Sequence, residues 1–350
     1  MVGYFSSFIV TFVISLGLGY PAMLLARRLR LMDMPGTAPH KAHAHPTPLA
    51  GGLLAAGTLA LAMLFFRQWL SHEVQVVFAG ALVIFLFGLW DDRKGLSALP
   101  KLIGQLIASI VLISSGVQVY FLNILSLSGH ISPEMAQGLN ILVTLFWLVG
   151  ITNAMNMIDS MNGIVAGLSM IAFACFGGAT ALAGQTDLAF WAAALFGVSA
   201  GLYFWNGLTA KFFLGDSGAQ TIGFLLASFG MIYTPLERSP ESSWIVPIML
   251  LGIPIFDTTL VVLSRFKRKQ MIGSGRRDHT YHRLIALGFS PRLAVAIVHL
   301  ASLVLSVTAY FTLYLPPLPA LAFFFASVFF GGVLLFWFER KPTLDDPPQG

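Results

Sequence analysis

The fold class this sequence predicts is all-α: a polytopic integral membrane protein of about 11 transmembrane helices, N-terminus outside and C-terminus cytoplasmic. Three observations predict it. Of 350 residues, 57% are hydrophobic and only 10% are charged, and the mean hydropathy is +0.80, far above that of a soluble domain. Apolar runs able to cross about 30 Å of hydrocarbon follow one another along the chain. The Lys and Arg residues between those runs fall almost entirely on alternate connections.

In order, the apolar runs are residues 4–25, 50–67, 74–90, 101–119, 138–152, 163–183, 188–205, 218–235, 244–264, 291–313 and 318–338. The first has neither a basic segment before it nor a small-residue cleavage site after it, so it reads as a retained helix, not a removable signal. Run 138–152 is the shortest and is expected to borrow residues from its flanks. Pro254 lies inside a run and marks a kink that neighbouring helices can accommodate. The 120–137 connection alternates around Ser128-Gly129 and reads as a small hairpin.

Of the 20 Lys and Arg residues, all but Arg67 and Arg238 lie on one set of connections. Cytoplasmic loops carry such an excess, which fixes the orientation. The net charge of +5 therefore reports topology and anionic lipid, and no nucleic-acid partner is expected. The one cysteine, Cys175, sits in an apolar run, so no disulfide framework exists. No internal repeat is visible. Residues 1–340 read as one transmembrane domain with its active site in the cytoplasmic loops, and 341–350 as a disordered cytoplasmic tail.

Those loops hold nearly every unusual polar cluster. The first is His40, Lys41, His43 and His45. Its spacing is weak evidence for a metal, and a basic loop facing lipid or phosphate is the better reading. The second places Asp91 and Asp92 between two apolar runs, where two carboxylates repel unless a cation or a proton-transfer task stabilises them. Lys101 and Gln105 follow, sharing one helix face at i and i+4.

The third cluster, Asn153, Asn156, Asp159, Ser160 and Asn162, is costly to desolvate unless it binds something. It reads as an extended polar turn leading into the next helix. In the fourth, Asn206, Lys211, Gly215, Asp216 and Gly218, glycines flank an acid at a helix start and let backbone approach a ligand. The fifth runs from Asp257 through a basic string to His279, Tyr281, His282 and Arg283, where His279, His282 and Arg283 are close enough on a helical turn to grip a phosphate. His299, alone in an apolar run, reads as packing.

Acids on one membrane face, joined by Lys, His and Arg, suit a phosphoryl-transfer centre: Mg²⁺ prefers carboxylate and phosphate oxygens, and the cations offset charge on a diphosphate. So many spans imply that one substrate is a lipid. A secondary transporter would put such residues near the midplane, often in two matched halves; here they collect at one face.

At these residues the sequence resembles the polyprenyl-phosphate N-acetylhexosamine-1-phosphate transferases (glycosyl transferase family 4). That family includes the undecaprenyl-phosphate N-acetylglucosamine-1-phosphate transferases and the MurNAc-pentapeptide translocase. The resemblance extends from about His40 to Arg283 and rests on separated motifs in the right order. It implies catalytic roles for Asp91, Asp92, Lys101, Asp159, His279, His282 and Arg283. It implies substrate binding by Lys41, Asn153, Asn156, Asn162, Asn206, Lys211 and Asp257, with Asp216, Asp91 and Asp92 at a metal, Mg²⁺ or its substitute Mn²⁺.

The resemblance further implies transfer of a sugar phosphate from a UDP-N-acetylhexosamine to undecaprenyl phosphate, with release of UMP, in a bacterial inner membrane, by a chain able to form a homodimer. Ser160 stands where the family motif has Gly, Ala219 where it has Ser, and Tyr281 where a middle His is common. Lacking the run of three histidines of the pentapeptide translocases, the chain falls with the simpler N-acetylhexosamine enzymes.

Overall fold

Long apolar stretches satisfy their backbone polar groups internally by forming helices, and among the described residues this chain does so almost throughout. The computed structural model describes residues 2–36, 45–234, 244–271 and 276–345. Within them α1 (Val2–Arg28) is followed by the two-residue strands β1 (Met32–Asp33) and β2 (Thr47–Pro48), then α2 (Gly51–Phe65), α3 (His72–Lys94) and α4 (Ala98–Ser114). Next come α5 (Asn123–Leu127), α6 (Pro133–Ile158), α7 (Ile164–Leu182), α8 (Thr186–Leu202) and α9 (Gly215–Ile232). The last are α10 (Ile245–Leu250), α11 (Gly252–Lys267), α12 (Thr280–Ala286), α13 (Pro291–Thr312) and α14 (Pro317–Glu339).

Local chemistry sets the helix ends. Ser71, Ser132 and Ser290 precede α3, α6 and α13, each accepting a hydrogen bond from a first-turn backbone N–H. Pro133 and Pro291 occupy first positions, where no N–H is needed. Helix α3 stops at Gly95, in the left-handed region at φ 64°.

The core is organised around α9, buried at every position from Ser217 to Ile232. Helices α2, α3, α6 and α7 pack against it, and α1 lies outside on α8. Small residues and hydroxyls mediate the outer packing: Ser7 and Thr11 of α1 donate to the Phe190 and Ala194 carbonyls of α8. Such interhelical bonds average about 0.6 kcal/mol in a membrane protein.

Among the described residues each of the apolar runs contains helix. Among the described residues seven helices are long and apolar enough to cross a membrane, and α2 and α4 are shorter apolar helices. The chain is thus an all-α, multi-pass membrane protein. Three local expectations are corrected and one is met. The 120–137 connection contains α5 and the start of α6 instead of a hairpin, because Asn140 of α6 ties it down through Leu122 N and Asn123. Run 138–152 extends to a helix of 26 residues, so Asn153 and Asn156 are helical and not part of an extended turn. The kink expected at Pro254 is present: the single residue Leu251 separates α10 from α11, and Pro254 lies in the first turn of α11. Chain through Asp345 is held against the Arg276–Arg277 loop, so only 346–350 of the expected free tail lie outside the described residues.

Candidate active site

Four helix ends meet where α9 begins. Gly215, at φ 71°, turns the chain into α9, and a Cβ there would lie 2.7 Å from both Asp92 carboxylate oxygens. Gly88 does the same for α3, since a Cβ would sit 2.5 Å from Ser217 Cα. These two glycines let the last turn of α3 press its aspartates onto the α9 N-terminus.

The two aspartates then do different things. Asp92 accepts from Asp216 N at 2.7 Å, Ser217 N at 3.2 Å and Ser217 Oγ at 2.5 Å. It caps α9, where free N–H groups and the helix dipole favour a negative charge. Asp91, 6% exposed, accepts from Leu96 N at 2.5 Å and pairs through its other oxygen with Lys101. The Lys101 ammonium also lies 2.5 Å from Asp216 Oδ2, bridging the two carboxylates. Asn156 donates to Asp216 Oδ1 at 3.0 Å, and Gln220, one turn along α9, approaches Oδ2 at 3.5 Å.

Behind this cluster is a layer of amides. Buried Gln105 donates to Asn153 Oδ1 and to Gln220 Oε1, both at 3.2 Å, and accepts from Asn153 Nδ2 at 2.8 Å. The layer ties α4, α6 and α9 together beneath the acids. Asp159 follows the last residue of α6, and its carboxyl is pushed up to about 8, first by burial and then by the negative field of Asp216 and Asp92.

A second group assembles around α12. Asp257 of α11 accepts from Thr280 N at 2.7 Å and pairs with His279 Nδ1 at 2.7 Å. His282 is buried, and burial first, then His279, lowers its imidazole to about 3, so it is neutral at physiological pH. Asp278 forms a two-pronged pair with Arg265 at 2.9 and 2.8 Å. Burial would raise that carboxyl, but Arg265 outweighs it and holds it below the ordinary range.

Several residues expected to touch substrate are given other work. Arg283 is fully buried. Its guanidinium donates to the carbonyls of Asp278, Phe338 and Lys341 and to Ser264 Oγ, bracing the C-terminal segment instead of facing a phosphate. Asn206 clamps two turns, accepting from Gly163 N at 2.7 Å and donating to the Phe212 carbonyl at 2.9 Å. Asn162 and Lys211 are exposed. Lys41, with His40 and His43, lies outside the described residues. His299 packs as expected, within 3.1 Å of the Ile164 carbonyl.

Among the described residues, no three His, Cys, Asp or Glu side chains form a ready metal cage. Asp91 and Asp216 nonetheless converge on one cation, the Lys101 ammonium. Their oxygen-only donor set suits Mg²⁺ completed by substrate phosphates. Asp92 fits less well, because both its oxygens are committed to α9.

The family model "Glycosyl transferase family 4" matches residues 74–234, which include the acidic cluster and the amide layer. The "Probable undecaprenyl-phosphate N-acetylglucosaminyl 1-phosphate transferase" of Bacillus subtilis is 30% identical over 287 residues, covering 81% of this chain and 78% of that protein. The chain belongs to glycosyl transferase family 4. This family 4 protein is also 31% identical over 302 residues to the "Decaprenyl-phosphate N-acetylglucosaminephosphotransferase" of Mycolicibacterium smegmatis, covering 79% and 74% of the two chains. The "Undecaprenyl-phosphate alpha-N-acetylglucosaminyl 1-phosphate transferase" of Escherichia coli K12 is 27% identical over 321 residues, covering 89% and 85%.

Sequence reasoning about this family 4 protein missed Gln220, Ser217 and the Arg265–Asp278 pair. Gln220 was within reach, because i and i+4 share a helix face and Asp216 opens the helix. Ser217 and Arg265 carried no signal, since one looked like turn chemistry and the other like part of a basic topology string.

Proposed function

We propose that this protein is a Mg²⁺-dependent transferase that moves N-acetylhexosamine-1-phosphate from a UDP-sugar to undecaprenyl phosphate and releases UMP. The names of its relatives support a polyprenyl phosphate acceptor and an N-acetylglucosamine donor. The observation that carries the reading is the Asp91–Lys101–Asp216 bridge at the α9 N-terminus, a charge arrangement suited to a diphosphate in transfer. The excess of Lys and Arg on the loops of that end supports a cytoplasmic site in a bacterial inner membrane.

An apolar cavity of about 660 Å³ lies between α6, α9, α10 and α11. Tyr120 and Thr234 line one part of it, and Ala154 and Thr258, neighbours of Asn153 and Asp257, line another. A prenyl chain lying there brings its phosphate to the polar end of the bundle.

In the transfer, a lipid phosphate oxygen forms a bond to the phosphorus that carries the sugar. The bond from that phosphorus to the oxygen of the uridylyl phosphate breaks, and UMP departs with the electron pair. Mg²⁺ held by Asp216 and Asp91 would neutralise diphosphate charge when bound. Lys101 moves its ammonium from the carboxylates to a phosphate oxygen. Asn156 keeps Asp216 oriented, Asp92 keeps the α9 N-terminus in place, and His279, fixed by Asp257, faces the donor. Purified protein should release UMP from undecaprenyl phosphate and one member of a panel of UDP-sugars, UDP-MurNAc-pentapeptide included, and EDTA should stop it. UDP binding without release from any donor would overturn the reading.

A further inference from the structure

Two residues that set this chain apart from the family pattern, Ser160 and Tyr281, touch each other. They come from segments 121 positions apart, the α6–α7 turn and α12. Tyr281 is fully buried. Its hydroxyl donates to the Ile158 carbonyl at 3.2 Å and is hydrogen-bonded to Ser160 Oγ. With the phenol proton on Ile158, the serine proton goes to the phenol oxygen, and both hydroxyls are satisfied. Ile158 and Ser160 are the two residues that flank Asp159, and Ser160 N also donates to the Ile158 carbonyl at 2.9 Å.

One phenol oxygen therefore fastens both sides of the residue bearing the carboxylate. The same ring lies parallel to His279, centroids 5.5 Å apart and planes 9° apart, and against His282 at 4.4 Å. His279 is in turn fixed by Asp257. Tyr281 thus has a packing role, carried by the ring, and a positioning role, carried by the hydroxyl. Only the second is lost in Tyr281→Phe.

We propose that the Tyr281–Ser160 contact is a pin that sets Asp159 against the His279–Arg283 helix, making both residues positioning residues for the donor. This inference rests on the transfer reaction proposed above. Its physical basis is that misplacing a reacting group by about 1 Å can cost 10²-fold in rate, while a lost neutral hydrogen bond leaves the fold largely intact.

The test is a double-mutant cycle in the UMP-release assay with wild type, Ser160→Ala, Tyr281→Phe and the double variant. Each single variant should lose about 10- to 100-fold in kcat, with KM for lipid and donor within about twofold because no substrate contact is removed. The double variant should be no worse than either single one, since one contact is being removed twice. Ser160→Thr, which keeps the hydroxyl, should restore most of the rate.

Wild-type kcat in Tyr281→Phe, or losses that multiply in the double variant, would overturn the pin. Hydrogen exchange provides a readout independent of catalysis: amides of 158–164 should exchange faster in Tyr281→Phe than in wild type while those of α9 stay protected. If wild type releases no UMP, the proposed reaction fails; unchanged exchange at 158–164 makes the pin fail on its own.

Discussion

Helix α6 carries polar side chains at both ends, and comparing the ends separates structural polarity from functional polarity. Near its start, Asn140 donates to Asn123 Oδ1 at 2.8 Å and accepts from Leu122 N at 3.3 Å, while Thr144 accepts from Val119 N at 3.0 Å. All of these partners are neutral, and they close the backbone of a connection. At the other end Asn156 meets a carboxylate, Asp91 and Asp216 share the ammonium of Lys101, and Asp92 sits beside them on the α9 N-terminus. A buried polar group in a membrane protein needs only a partner. A surplus of like charge needs a ligand, and this surplus marks the site.

The largest effect separating the two ends is expected at Lys101. Lys101→Met should lower kcat/KM by about 10²- to 10³-fold, because it removes both the bridging charge and a phosphate contact; UMP release at saturating lipid measures it. Asn156→Ala should cost about tenfold in kcat, leaving Asp216 with Lys101 and Gln220 but without its orienting amide. Asn140→Ala should leave kcat within about twofold yet lower stability by about 1–3 kcal/mol, because Leu122 N and Asn123 lose their partner. Thermal unfolding in detergent separates that outcome from the first two.

The smallest expected effect of pH near neutrality belongs to the Arg265–Asp278 pair. The folded Asp278 carboxyl lies below its unfolded value, near 3.9. Its stabilisation is therefore complete above about pH 4 and is lost as pH falls through the folded value. Between pH 5 and 8 the pair should add no slope to the unfolding midpoint. The acid decline below pH 4 should be shallower in Asp278→Asn, which starts lower because buried Arg265 loses its carboxylate partner.

The helices were legible because hydropathy and length suffice for them. The acid clusters were legible because charge between apolar runs is rare enough to stand out. What escaped was set by three-dimensional approach. Asp91 and Asp92 are neighbours of one type, and only their packing on α9 makes one a cap and the other an ion-pair partner. Arg283 resembled a phosphate ligand beside two histidines, but its carbonyl partners come from residues 55 and 58 positions away. The β1–β2 pairing was hidden because it joins Met32 to Pro48 and Asp33 to Thr47, an approach that periodicity does not encode.

In the proposed reaction the decisive role is that of Asp216, which would hold Mg²⁺ beside the reacting diphosphate. It is tested most directly by UMP release from UDP-N-acetylglucosamine and undecaprenyl phosphate with wild type and Asp216→Asn side by side, each with Mg²⁺ and with EDTA. Wild type should release UMP in a reaction that EDTA abolishes, and Asp216→Asn should lose about 10³-fold with unchanged membrane insertion and unfolding midpoint. Wild-type release by Asp216→Asn would contradict it.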